Sequence, residues 1–261
     1  MNNEIPSSTE ENIAARLQGE NPDHTDMMSV YYLYALPLYL TTETIKNMLP
    51  EGLSPDLPNT ELDSTHLSFF IFGAQKEVKL EVSPFGIDYL EASFAIPALT
   101  YDNGKKMYSY WVKLYCTSSF ATALGQRMGY PKVLSTFEKT RNTICITCTT
   151  DEQKDVITAT IGEELAPKSL DEFHVLKNAK MSEEAFISFI EDKPYVSERV
   201  ESKYSYVTPL NLSVDFTHSG IKGLDGIHSA KPLEGNVMGA FRTVQAAEWR
   251  WPTPMEQPTP T

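Results

Sequence analysis

GQRMGYPKVLST, residues 125–136, sets an aromatic residue and a proline directly ahead of a lysine. Just upstream, SSFATALGQRMG predicts a helix. Ser118 or Ser119 can cap its start, and Phe120, Leu124 and Met128 recur four apart on one side. Gly129 can take the left-handed conformation that closes a helix. Pro131 cannot continue one and fixes the chain direction. Lys132 is thus the first residue projected from a rigid corner, where a side chain can be held reproducibly.

A free lysine has a pKa of about 10.4, so at neutral pH only roughly one molecule in a few thousand carries a nucleophilic amine. Burial disfavours the ammonium and lowers this value. A neutral amine adds to a carbonyl and forms an imine, which eases loss of a group from the neighbouring carbon. With Val133 next in sequence and Arg127 five residues back, no adjacent cation activates Lys132. Desolvation by Tyr130, Pro131, Val133 and Leu134 is therefore the expected route. An ionised acid beside the amine would oppose it.

Outward from the lysine the chain reads as mostly strand. SVYYLYALPLYL, HLSFFIFGAQ, DYLEASFAIPALTY, MYSYWVKLYC, NTICITCT, VITATIG, YSYVTPLNLSVDF and GAFRTVQAAEWRW are the strand-like stretches. Pro37 marks an edge or bend. In MYSYWVKLYC, Tyr108, Tyr110, Val112, Leu114 and Cys116 fall on one face, which leaves Lys113, the rival nucleophile, on the other. TDEQKD reads as a hairpin. TTETIKNML and MSEEAFISFIED complete a set of three expected helices, the last starting at Ser182 with Phe186, Phe189 and Ile190 inward. Many strands with few helices predict a mainly β, antiparallel barrel or sandwich. Residues 1–26 hold six acids and one arginine and read as a disordered acidic tail. One domain spans 27–252, and the proline-rich 253–261 reads as a second tail.

The 261 residues carry a net charge of −13 without a Lys/Arg cluster, which argues against nucleic acid and anionic membranes as partners. No apolar run approaches a membrane span, and the first residues lack the basic start and apolar core of a signal peptide. A cytoplasmic location is expected. Three cysteines argue against a disulfide framework. Cys145 and Cys148 share a C-x-x-C spacing, but on a strand they point to opposite faces. The five histidines show no metal spacing, and no metal or other cofactor is expected.

Two motifs in this order resemble the acetoacetate decarboxylase superfamily. In that family a helix bearing Gly-Arg-Glu precedes an aromatic residue, proline and lysine, often followed by a second lysine and leucine, and GQRMGYPKVL matches in register. About forty residues upstream the family carries a glutamate before Ala-Ile-Pro, and YLEASFAIPA supplies Glu91, Ala95, Ile96 and Pro97. IKNMLPEGL and GNVMGAF…EWRW are similar to its early helix and last strands. The resemblance covers roughly residues 27–252. It implies a cone-like antiparallel β-barrel, Lys132 as the imine-forming residue, Glu91 as its acidic partner, and a homo-oligomer acting on a small-molecule carbonyl substrate.

The departures sharpen that expectation. The family's second lysine is Val133, and its Arg-Glu is Gln126 and Arg127. The decarboxylases' first-strand arginine falls near Tyr31, and a second pocket glutamate near Phe70. Tyr31, Phe70, Arg127, Tyr130 and Val133 are accordingly the expected substrate-contacting set. A pocket so altered suits a larger or less charged carbonyl compound. The expected enzyme is a lyase-type Schiff-base catalyst acting on carbon–carbon bonds next to the carbonyl of a keto-acid or polyketide-like small molecule, in aldol, dehydration or cyclisation steps of specialised metabolism. True β-keto-acid decarboxylation and a silent barrel binding an apolar molecule are the alternatives.

Overall fold

A computed structural model describes residues 27–55, 65–80, 86–102, 104, 106–149, 154–168, 185–204, 207–225 and 239–255. Both expected tails lie largely outside these residues, as do Ser182 and three of the five histidines, His24, His174 and His228. The chain runs β1 (Met27–Thr41), α1 (Thr42–Lys46), β2 (Leu53–Pro55), β3 (Thr65–Leu80), β4 (Ile87–Tyr101), β5 (Tyr108–Cys116) and α2 (Ser119–Arg127). It continues with β6 (Lys132–Leu134), β7 (Thr136–Lys139), β8 (Thr143–Thr149), β9 (Lys154–Glu164), β10 (Ala185–Ile190) and β11 (Lys193–Tyr204). Last come β12 (Thr208–His218), β13 (Phe241–Trp249) and β14 (Thr253–Pro254).

The strands follow the path β14-β11-β10-β5-β4-β3-β1-β13-β12-β9-β8-β7, with β2 added on β4 and β6 on β5. The mainly β, largely antiparallel architecture is as expected. The path does not by itself close the expected cone-like barrel, since its end strands β14 and β7 do not pair with each other. An added pairing of β11 with β13 bends the path back on itself, since β13 also pairs with β1. Among the described residues, no helix is long and apolar enough to cross a membrane.

Period-two alternation divides the long strands β1, β3 and β4 between two interiors. Leu36, Leu38, Phe70, Phe72, Phe94 and Ile96 pack with residues of β8, β9 and β12 in the main core, where Phe70 meets Phe216 edge-on at 5.1 Å. The opposite faces of the same strands, with Tyr31, Leu33, Phe69 and Ile71, line a cavity. β13 covers β1 only as far as Ala35, so Pro37, beyond that point, costs no pairing on that side.

Two expectations from spacing fail for physical reasons. Phe186, Phe189 and Ile190 sit on strand β10, not on a helix. β10 lies between β5 and β11 and is apolar but for the buried Ser188, so the alternation that would have marked it as a strand is missing. On β5 the pairing with β4 shifts between Phe94–Lys113 and Ala95–Trp111, leaving Val112 as an extra residue. Such a bulge flips every later side chain to the other face. Leu114 therefore joins Ser109 and Trp111 on the cavity, while Tyr108, Tyr110, Val112 and Tyr115 pack with the main core. The hairpin between β8 and β9 is formed, with Thr149 opposite Lys154.

Candidate active site

α2 and the turn after it place the lysine. The Ser118 side chain accepts from the Ala121 N–H and caps the helix start. At the other end Gly129 is left-handed at φ +74°. Its N–H donates to the Gln126 carbonyl and that of Tyr130 to the Gly125 carbonyl, the paired bonds of a Schellman ending. Phe120, Ala121, Leu124 and Met128 seat the helix against Val78, Ile87 and Tyr89. Pro131 then turns the chain into β6, which lies parallel to β5 with Lys132 beside Leu114. The Gln126 side chain donates to the Lys132 carbonyl at 2.9 Å.

The lysine points into a cavity of about 120 Å³. That is roughly tenfold the space one water needs. Trp111, Phe186, Phe241, Trp249 and Phe69, with aliphatic side chains such as Leu33 and Ile71, make most of its wall apolar. Its polar end is Lys132, Glu91, Gln75, Tyr89 and Tyr31. Lys132 Nζ lies 2.5 Å from Glu91 Oε2, both side chains at most one-tenth exposed. It also reaches the Tyr89 hydroxyl at 3.4 Å. Gln75 donates its side-chain amide to Glu91 Oε1 at 3.3 Å. The Tyr31 hydroxyl donates to the Glu91 backbone carbonyl at 3.1 Å.

The lysine's electrostatics run opposite to the expectation from sequence. Burial is the largest single influence and pushes its pKa down, but the charge and hydrogen bond of Glu91 together with Tyr89 and Cys116 outweigh it, and the net shift is upward. Before substrate arrives Lys132 is an ammonium in a buried ion pair. Tyr31 and Tyr89 are both pushed upward, chiefly by burial with Glu91 adding, so they remain protonated donors. The rival Lys113 faces the other interior and is bound to Asp155 at 2.6 Å.

Of the expected substrate contacts, Tyr31 and Tyr130 line the cavity, and the Tyr130 hydroxyl lies 2.5 Å from Ser197 Oγ. Three do not line it. Phe70 is fully buried on the opposite face of β3, and its neighbour Phe69 takes the cavity position. Val133 packs with the main core because β6 alternates, so the residue after Lys132 must point away from it. Arg127 is exposed at the end of α2. Nor does Leu134 desolvate the amine, being 53% exposed; Leu114, Leu124 and Tyr89 stand around it instead.

Sequence reasoning missed Tyr89 and Gln75. Tyr89 stands two residues before Glu91 on the same strand face, a signal that was available. Gln75 is opposite Tyr89 only through the β3–β4 register, which carries no local mark. Among the described residues no group of three or more His, Cys, Asp or Glu could hold a metal. The three cysteines are free.

Comparison with known proteins follows the same line. No curated protein matches the chain at a significant level. Solved structures do. The acetoacetate decarboxylase-like enzyme from Sphingomonas wittichii RW1 superposes with a TM-score of 0.57 at 13% identity, over 90% of this chain and 94% of that one. The acetoacetate decarboxylase from Legionella pneumophila gives 0.57 at 12% identity, over 91% and 90%. The enduracididine biosynthesis enzyme MppR, complexed with the condensation product of pyruvate and imidazole 4-carboxaldehyde, gives 0.56 at 10% identity, over 88% of each chain. At such identities the likeness is one of fold. Residues 18–212 match the acetoacetate decarboxylase family itself, and the chain belongs to that family.

Proposed function

We propose that this protein is a lysine-imine enzyme that makes or breaks the carbon–carbon bond beside a carbonyl, and that its substrate is uncharged. The observation that supports this most is the 2.5 Å contact between Lys132 and Glu91 inside a largely apolar cavity. Glu91 takes a proton from the ammonium, and the freed amine adds to the substrate carbonyl. Glu91 returns the proton to the carbinolamine oxygen, which leaves as water. The iminium then accepts the electron pair of an adjacent bond, either a C–H bond whose proton passes to Glu91 or a C–C bond whose other carbon leaves as an aldehyde or ketone, giving an enamine. Protonation or carbon–carbon bond formation at that carbon regenerates the iminium, and water releases the product and the lysine.

Charge argues for the uncharged substrate. Among the described residues lining the cavity, Lys132 and Glu91 alone carry formal charge, and they cancel. A keto acid would bring a second carboxylate beside Glu91 with no cation of its own, where water screens little. Aldol, dehydration or cyclisation chemistry on a ketone or aldehyde with an apolar substituent suits the largely apolar wall; the condensation product held by MppR is also carbon–carbon bond chemistry, there built on the keto acid pyruvate. The same reading takes the β11–β13 pairing as the seam of the family's cone, and the enzyme as a cytoplasmic homo-oligomer.

Borohydride with a small ketone is expected to add covalent mass at Lys132, read by intact mass and peptide mapping. Equal adducts on a Lys132→Ala protein would remove the assignment. Carbon dioxide release from acetoacetate should fall far below the rate of about 10 per second typical of enzymes. Release at that rate would return the chain to plain decarboxylation.

A further inference from the structure

We infer that Gln75 selects the substrate: its side-chain carbonyl oxygen accepts a hydrogen bond from a hydroxyl carried close to the reacting carbonyl, so hydroxy-ketones are preferred over plain ketones. The inference rests on the imine reading above and narrows its substrate class.

Gln75 lines the cavity at 9% exposure. Its amide nitrogen faces Glu91 Oε1. An ionised carboxylate only accepts hydrogen bonds, so the nitrogen must face it, and the Gln75 carbonyl oxygen is directed elsewhere. That oxygen has no hydrogen-bond partner among the described residues. Buried acceptors are nearly always paired, and leaving one unpaired is unfavourable. Ser68 and Ser93 also hold unpartnered oxygens, but neither lines the cavity. Of the three oxygens, that of Gln75 alone belongs to a residue that lines the cavity, where a turn of its side chain would offer the oxygen to a bound molecule.

The position narrows where that donor sits. Lys132 and Gln75 occupy the two oxygens of one carboxylate. A molecule attached to Nζ therefore passes Gln75 within a few bonds of its former carbonyl carbon, the reach of an α- or β-hydroxyl. A β-hydroxy ketone is what an aldol addition makes and what a dehydration or retro-aldol step consumes. The free acceptor and the imine-forming lysine are thus matched to one substrate class.

The test uses two pairs of nearly equal shape: hydroxyacetone against butanone, and 4-hydroxy-2-butanone against 2-pentanone. For each, half-saturation is measured in borohydride trapping at Lys132 and, without borohydride, by ligand-observed NMR. In the unmodified protein at least one hydroxyl member should be favoured about tenfold, and in Gln75→Met that ratio should fall to near one. A Gln75 that only supports Glu91 would weaken both members alike and leave the ratio unchanged, which overturns the proposal. So does equal binding of both pairs in the unmodified protein, even if trapping succeeds. A hydroxyl preference lost in Gln75→Met but with no trapping would keep Gln75 and remove the imine.

Discussion

Replacing Glu91 by glutamine is expected to reverse the direction in which Lys132 is shifted. In the intact protein opposed effects act on the amine: burial, the largest, lowers its pKa, while the Glu91 carboxylate at 2.5 Å leads the influences that raise it and together prevail. Glutamine keeps the shape and a hydrogen bond but removes the charge, leaving burial as the main influence. The midpoint for labelling Lys132 with an amine-selective reagent should move from above the ordinary lysine value to below it.

Stability should reveal the same reversal. With a raised folded pKa, the pair's contribution is fully present below the unfolded value of about 10.4 and is lost as pH rises through the folded one. In Glu91→Gln the folded pKa is depressed. The unfolded chain then binds more protons between the two values, so stability should rise with pH over that window. Chemical denaturation at pH 7, 9 and 10.5 would read the two slopes. Although its amine is easier to deprotonate, the variant should turn over roughly 10²–10⁴-fold more slowly, because the group that relays the proton is gone. A faster variant, or one whose labelling midpoint does not fall, would show that the ion pair is not the resting state.

How far the sequence foretold this site depends on how local each interaction is. The helix, its glycine ending and the projection of Lys132 are set within residues 118–132, where capping and left-handed glycine leave recognisable marks. Glu91 came from resemblance to a family pattern. The contact between them could not be read, because β4 and β6 meet only through β5. The expectation of a lowered lysine pKa failed for that reason: it weighed the burial legible beside Lys132 and lacked the distance to Glu91. The β5 bulge is the same lesson in smaller form, since one extra residue at Val112 inverts a face that alternation alone had assigned.

Gly125→Ala is expected to disable the site without unfolding the protein. Gly125 lies within α2, where alanine is intrinsically the better residue by up to about 1 kcal/mol. Nothing in the backbone conformation there calls for glycine. What calls for it is the lysine. A Cβ on Gly125 would lie 2.4 Å from Lys132 Cδ and 2.8 Å from both Cγ and Cε. Those atoms belong to a flexible stem, whereas the helix is fixed by its cap, its Schellman ending and the packing of Leu124 and Met128. The stem should therefore yield and carry Nζ away from Glu91. A displacement of about 1 Å at a reacting group costs on the order of 10²-fold in rate. Borohydride trapping at Lys132 should slow by that factor, while the denaturation midpoint stays near that of the unmodified protein. Such a split separates positioning from folding, because a variant that lost its helix would lose both together. If Gly125→Ala traps ketones at the original rate, the lysine stem has room to spare, and the close approach of α2 to Lys132 is not what aims the amine.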